Sequence, residues 1–165
     1  MASLFKRVGG GRIRVRLSPD EAELLRTLPD QLRSVLEEDL PDPARDRLFP
    51  PAYAEPADAE READYRRLVH DDLLAAKLAN LDVVSGTLAR GTASARRWTV
   101  DLSEQEAMAW LGVLNDLRLT LGVRLDVVED LDGTELDEAD PRAPAMYLLH
   151  YLGWLEEHLL EALAA

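Results

Sequence analysis

The chain has 165 residues, 47% of them hydrophobic, and a formal net charge of −13 at pH 7. This length suits one folded domain, and the apolar content excludes a disordered acidic tail. Because the sequence has no cysteine, disulfides, thiolate metal sites and cysteine nucleophiles are excluded. No apolar run approaches the roughly 20 residues that cross a bilayer, and the start of the chain lacks the features of a secretory signal. We therefore expect a cytoplasmic protein without a membrane partner.

The first predicted strand has a basic outer face. It follows residues 1–11, a basic segment containing Gly9-Gly10-Gly11 that we expect to be flexible. Over residues 12–17, three aliphatic residues alternate with three arginines, which predicts a half-buried strand. The aliphatic residues are Ile13, Val15 and Leu17, and the arginines are Arg12, Arg14 and Arg16.

A helix is predicted directly after this strand. Ser18 and Glu21 have the spacing of a capping box, and Pro19 suits the first helical position. Leucines spaced three and four residues apart continue an apolar stripe to Leu36. Because Pro29 lies inside this run, we expect a kink or two short helices.

A proline-rich connection, residues 41–57, leads to a long helix predicted over about 58–90. The connection contains two aromatic residues, which favours a loop packed against the domain over a free linker. In the helix, leucines recur at spacings of three, four and seven, and Gly91 is placed to end it.

The second half of the chain repeats the order of strand and helix. Alternation predicts a strand over 98–102, and a capping box at Ser103 predicts a helix over about 104–121. A third strand is predicted over 123–127. Residues 126–141 then form an acidic loop, which we expect to be solvated, and a last helix continues to about residue 163.

The two clearest strands are expected to pair, because Arg14 and Arg16 complement the outward Thr99 and Asp101. The segments around them also resemble each other, since residues 15–22 and 100–107 agree in five of eight places. Two explanations remain open. Two strand–cap–helix units could have converged on the same local solution, or the chain could contain a duplication.

Candidate catalytic residues are few, and we call them the polar cluster. The cluster comprises His70, Asp71, Asp72, Asn115 and Arg118. A small enzyme or ligand-binding protein could use such residues. The histidines lack the spacing of a helical zinc site, and the acidic loop lacks the ligand spacing of a calcium loop. We therefore expect no metal and no cofactor.

The last helix combines two apolar arcs. At about 100° per residue, one arc contains leucines and the other is an aromatic stripe. The stripe consists of Tyr147, Tyr151, Trp154 and His158. Either both arcs are buried in the core, or the leucines face the core and the aromatic stripe faces a partner.

Short motifs spread over nearly the whole chain support a family resemblance. They include Phe5-Lys6-Arg7, Arg47-Leu48-Phe49-Pro50, Tyr65-Arg66, Asn115-Asp116-Leu117-Arg118-Leu119 and the run from Leu149 to Leu155. With these motifs, the chain resembles an actinobacterial family of unknown function that is typically encoded beside the Clp protease adaptor ClpS. The resemblance carries over no activity, so no residue inherits a role. The gene neighbourhood implies a link to regulated proteolysis.

These patterns predict a mostly helical, single-domain α+β protein with a small sheet of two to three strands. We expect a non-enzymatic interaction or regulatory protein whose partner is another protein or itself, as a homodimer. The polar cluster supports the alternative of a small enzyme or ligand-binding protein. A weaker alternative is a nucleic-acid-associated regulator that uses Arg12, Arg14, Arg16, Arg96 and Arg97. The net negative charge argues against nucleic acid as the main ligand.

Overall fold

Two antiparallel strands, β2 (Arg12–Leu17) and β4 (Trp98–Leu102), form the centre of the sheet in the computed structural model. The structure describes residues 4–38, 40–126 and 138–165. Arg14 lies opposite Asp101, and its Nε and Nη2 donate to the two carboxylate oxygens at 2.7 and 2.9 Å. The predicted pairing of these strands is therefore confirmed.

Two short outer strands complete a four-stranded sheet, one strand more than the upper expectation. β1 (Phe5–Val8) pairs with β2, and β3 (Thr92–Ala93) pairs with β4, in the order β1-β2-β4-β3. Gly10 and Gly11 have φ values of 78° and 72°, a region open to glycine, and they turn the chain between β1 and β2. The expectation of a flexible segment is therefore wrong for residues 5–11. Backbone pairing with β2 and the burial of Phe5 hold this hairpin on the sheet.

Each central strand leads through a capping box into a helix. Ser18 precedes α1 (Pro19–Glu37), and Ser103 precedes α4 (Glu104–Arg124). Val15 and Val100, which are equivalent in the sequence echo, lie directly opposite each other. The two strands are therefore related by a local two-fold axis between these valines.

The remaining helices are α2 (Pro43–Leu48), α3 (Ala59–Arg90) and α5 (Ala143–Ala164). α2 lies inside the proline-rich connection, whose Leu48 and Phe49 are buried as expected for a loop that packs down. Of the two expectations at Pro29, two short helices is wrong, since α1 continues through this residue as one helix, and a kink stays a prediction. Apolar residues before and after Pro29 are buried on the same face, and this packing outweighs the backbone bond that proline cannot make.

The predicted third strand is also wrong for the residues that the structure describes. α4 continues through Gly122 to Arg124, and the N–H of Leu125 donates to the Leu121 carbonyl at 2.9 Å. A glycine inside a helix costs only about 1 kcal/mol, so Gly122 does not end α4. Val127 and most of the expected acidic loop lie outside the described residues.

One hydrophobic core joins the inner face of the sheet to the helices. α4 packs against α2, α3 and α5, while α1 packs against α3. The predicted mostly helical α+β class is confirmed. The arrangement leaves the outer face of the sheet, the outer side of α5 and the surface between α2 and α3 accessible for contacts.

Candidate functional site

An ion pair between partly buried Lys77 and buried Asp116 links α3 to α4. Lys77 Nζ donates to Asp116 Oδ1 and Oδ2 at 2.9 and 3.0 Å, and the Asp116 side chain is only 9% exposed. Burial raises the pKa of the Asp116 carboxyl above its ordinary value, while the hydrogen bond from Lys77 opposes that rise. The sequence patterns predict no role for this pair. An acidic residue between buried Val113 and Leu117 was the signal that could have found it.

The structure does not bring the polar cluster together. His70 is half-buried on α3, two helical turns or about 10 Å before Lys77. Asn115 is exposed on α4. Arg118 lies on the opposite side of α4 from Asp116, where its Nη1 donates to Glu156 Oε2 of α5 at 2.6 Å. The two aspartates after His70 are exposed to solvent. No common catalytic centre can be built from these positions.

His70 instead lines a pocket between α3 and the proline-rich connection. The pocket has a volume of about 310 Å³, and the rings of His70 and Phe49 contact each other with centroids 4.6 Å apart. The backbone N–H of Tyr53 donates to Glu62 Oε2 at 2.9 Å, which holds the connection on α3 and lowers the pKa of Glu62. Other lining residues are Pro41, Pro50, Tyr65 and Arg66.

The aromatic stripe of α5 faces outward. Tyr147 and Trp154 are 52% and 41% exposed, whereas the leucines on the opposite side of the helix are buried. The buried leucines are Leu152, Leu155 and Leu159. The ring of Trp154 lies 6.2 Å from that of Tyr151 and 4.4 Å from that of His158. The buried leucines therefore supply most of the core contacts of α5, whereas Tyr147 and Trp154 are left exposed at the surface.

Tyr151 ties the stripe to α1. Its hydroxyl donates to Glu21 Oε1 at 3.1 Å, and the side chain is half-buried. Burial raises the pKa of Tyr151, with the negative charge of Glu21 adding to the effect. Glu21 also belongs to the capping box of α1. The same glutamate therefore caps α1 and orients Tyr151.

Most of the arginines that could contact a nucleic acid lie on the outer face of the sheet. Arg12, Arg14, Arg16 and Arg97 line an open depression of about 690 Å³, and Arg90 from the end of α3 joins them. Arg90 donates from both terminal nitrogens to Glu106 at 2.9 Å. These hydrogen bonds raise the pKa of Arg90 and lower that of Glu106. Arg96 lies outside the lining, in the turn that precedes Arg97.

The motifs quoted above, now placed in one fold, agree with a comparison to known families. A family model described as Domain of unknown function (DUF2017) matches residues 1–163. The chain belongs to this family. The expected membership of a family of unknown function is thereby confirmed. No curated protein and no solved structure matches the DUF2017 chain.

Two further features concern the described part of this DUF2017 chain. Within residues 4–38, 40–126 and 138–165, no group of three or more His, Asp or Glu side chains lies together in a way that could hold a metal ion. None of the helices in those ranges is long and apolar enough to cross a membrane.

Proposed function

We propose that this DUF2017 protein is a non-enzymatic interaction or regulatory protein that binds a partner protein through the aromatic stripe of α5. The observation that carries the proposal is the 41% exposure of Trp154 on a helix whose leucines already satisfy the core. Tryptophan and tyrosine are enriched among the residues that supply most of an interface's binding energy. Tyr147 and Trp154 are not among the buried core residues, so core packing does not account for their presence.

The stripe is also ordered before it binds. Trp154 contacts rings on both sides along the helix, and Tyr151 is held by Glu21 of α1. Ordering flexible side chains at an interface costs about 0.5–1.5 kcal/mol for each one that is immobilised. Side chains that are already ordered avoid much of that cost, which favours a binding surface.

The charge around the stripe favours a basic partner over a second copy of the chain. α5 contains three glutamates and no lysine or arginine, and the whole chain carries a net charge of −13. Two identical acidic surfaces repel each other, whereas a basic partner is attracted and steered toward the helix. The proposed partner is therefore another protein that presents apolar side chains flanked by lysine or arginine.

The proposal includes action in the cytoplasm and a link to regulated proteolysis. Its support is the resemblance of the chain to an actinobacterial family encoded beside ClpS. On this proposal, the partner is a component of that degradation pathway or a protein under its control.

The test compares three baits in affinity purification from native cytoplasmic extract with mass spectrometry. The parent protein and Leu160→Ala should enrich the same basic protein, whereas Trp154→Ala should weaken its binding about tenfold or more. Leu160 is a matched control because it is 50% exposed on another side of α5. Since Trp154 lies at the surface, its replacement should cost about 1 kcal/mol of stability or less.

Two results would count against the proposal. A large drop in melting temperature for Trp154→Ala would show that the stripe supports the core. Equal capture by all three baits would place the interface elsewhere. Light scattering on the purified parent identifies the homodimer alternative, which would replace the basic partner with a second copy.

A second candidate function is the binding of a small ligand in the His70 pocket. Its volume of about 310 Å³ lies at the lower end of the range for small-molecule sites, about 300–1,000 Å³. Thermal melts against a metabolite library test this candidate with His70→Ala as the comparison. We expect a ligand that stabilises the parent and not the variant, and turnover of that ligand would support the enzyme alternative. A library that stabilises neither protein argues against the pocket.

A further inference from the structure

The outer face of the sheet is a basic depression on an acidic protein. Strand alternation creates it, because Ile13, Val15 and Leu17 are fully buried beneath β2 and the arginines between them project outward. Residues two apart on a strand are separated by about 7 Å. Arg12, Arg14 and Arg16 therefore form a row about 13 Å long, which Arg90 and Arg97 widen.

The depression keeps a net positive charge although the chain is strongly negative. Five arginines line it together with two acids, Asp101 and Glu106. The two acids hold Arg14 and Arg90 through paired hydrogen bonds, which fixes the planes of these guanidinium groups. Among the described residues, the other three arginines form no ion pair and no hydrogen bond with a carboxylate. These are Arg12, Arg16 and Arg97.

The lining matches the chemistry of phosphate groups. Arginine binds phosphate oxygens in pairs through its planar fork. Thr92, Thr99 and Ser103 also line the depression. The volume of about 690 Å³ falls within the range of small-molecule sites, about 300–1,000 Å³. The spacing along the row suits a ligand with two or more phosphate groups better than a single phosphate.

A nucleic acid suits the depression less well. Single strands are bound by stacking bases on aromatic side chains, and the lining contains no aromatic residue. A long duplex would bring many phosphates close to a chain with a net charge of −13, and this repulsion grows with the length of the nucleic acid. A compact anion meets only the local positive charge.

We propose that the outer face of the sheet binds a small molecule carrying at least two phosphate groups, through Arg12, Arg16 and Arg97. Arg14 and Arg90, already oriented by their acids, line the floor beside the bound phosphates. This site is independent of the aromatic stripe, so either proposal can fail without the other.

Isothermal titration calorimetry with inorganic tripolyphosphate, in phosphate-free buffer at low salt, tests the site. We expect one ligand per parent chain and an affinity that falls as salt is added. Arg16→Ala and Arg97→Ala should each weaken binding about tenfold, the effect of losing a charge-assisted hydrogen bond. Arg61→Ala, which removes an exposed arginine from α3, should leave binding unchanged. The replaced side chains do not pack in the core, and thermal melts confirm that each variant is folded.

Three results would overturn the proposal. The first is no binding of tripolyphosphate by the folded parent at low salt. The second is an equal loss of affinity in Arg61→Ala, which would indicate a non-specific charge effect. The third is an oligonucleotide that binds the same arginines more tightly than tripolyphosphate, which would identify a nucleic-acid surface instead.

Discussion

At the scale of single residues, Asp116 is a buried carboxylate whose charge is compensated by the ammonium group of Lys77. Removing Lys77 should therefore destabilise the fold. The Lys77→Met variant leaves the carboxylate buried without its partner. Removing one member of a buried pair exposes the full cost of burying the other charge, so we expect a loss of about 3 kcal/mol in the free energy of unfolding near neutral pH. Urea unfolding of parent and variant measures it.

The same pair predicts how that loss changes with pH. Because burial raises the pKa of Asp116 in the folded state, the folded protein takes up a proton more readily than the unfolded chain. The loss in the free energy of unfolding caused by Lys77→Met is therefore largest above the raised pKa of Asp116. It becomes smaller as the pH falls through that pKa, because the carboxyl group is then protonated and neutral. Asp116→Asn is the control, with a smaller loss because the partly exposed Lys77 ammonium can reach water. A penalty for Lys77→Met that does not vary with pH would contradict this account.

At the scale of elements, the end of α3 depends on a close approach between Gly91 and Trp98. A Cβ built on Gly91 would lie 2.1 Å from Cε2 of the Trp98 ring, which is buried in β4. Gly91→Ala should therefore displace the ring and reduce the free energy of unfolding by about 1–3 kcal/mol, the usual effect of overpacking a core.

Gly86→Ala, five residues earlier in α3, is the matched control. Nothing lies within 4 Å of a Cβ at that position, so alanine should instead stabilise the helix by about 0.5–1 kcal/mol. Chemical unfolding of both variants measures the change in the free energy of unfolding, which should be negative for Gly91→Ala and positive for Gly86→Ala. If Gly91→Ala proved as stable as the parent, the contact between the α3 end and Trp98 would not limit this position.

The elements that could be predicted are those that local chemistry determines. The two capping boxes mark where α1 and α4 begin, and alternation identifies β2 and β4. Gly122 was misleading because a glycine can end a helix or be carried inside one, and packing decides between the two. β1 was not predicted because a strand of four residues shows little periodicity. Its conformation depends mainly on backbone pairing with β2, which the local sequence does not reveal.

The candidate sites also differ in whether a local sequence pattern or a tertiary contact creates them. The periodicity of α5 separates the leucine arc from the aromatic stripe, so its residues could be named from the sequence. The His70 pocket needs the proline-rich connection to fold onto α3 through the contact between Tyr53 and Glu62. No local pattern contains that contact. The Lys77–Asp116 pair joins residues that are 39 positions apart on two helices. Helical periodicity relates residues within one helix, so it could not predict this pair.

At the scale of the whole molecule, charge is distributed by face. The outer face of the sheet is basic, whereas α5 carries only acidic charges, within a chain of net charge −13. The two proposed surfaces therefore attract ligands of opposite sign. Added salt should weaken phosphate binding at the sheet strongly. It should affect protein binding at the stripe less, because buried aromatic area supplies much of that energy.

The two ends of the described chain meet in the fold, and the last prediction rests on that contact. Arg7 Nη2 in β1 donates to the Leu163 carbonyl near the end of α5 at 2.6 Å. Phe5 is buried, with its ring edge-on to Trp110 at a centroid distance of 6.5 Å. Removing residues 1–11 deletes these contacts and exposes the edge of β2 to pairing with other chains.

We expect Phe5→Ala to lose about 3 kcal/mol of stability, the usual cost of deleting a buried aromatic ring. Lys6→Ala, on the exposed side of the same strand, should change stability by no more than about 0.5 kcal/mol. Deletion of residues 1–11 should destabilise the protein at least as much as Phe5→Ala, and it should add association that light scattering detects. A deletion variant that melts like the parent and stays dispersed would instead show that this segment is a dispensable tether. The contact between Phe5 and Trp110 would then contribute little to the stability of the fold.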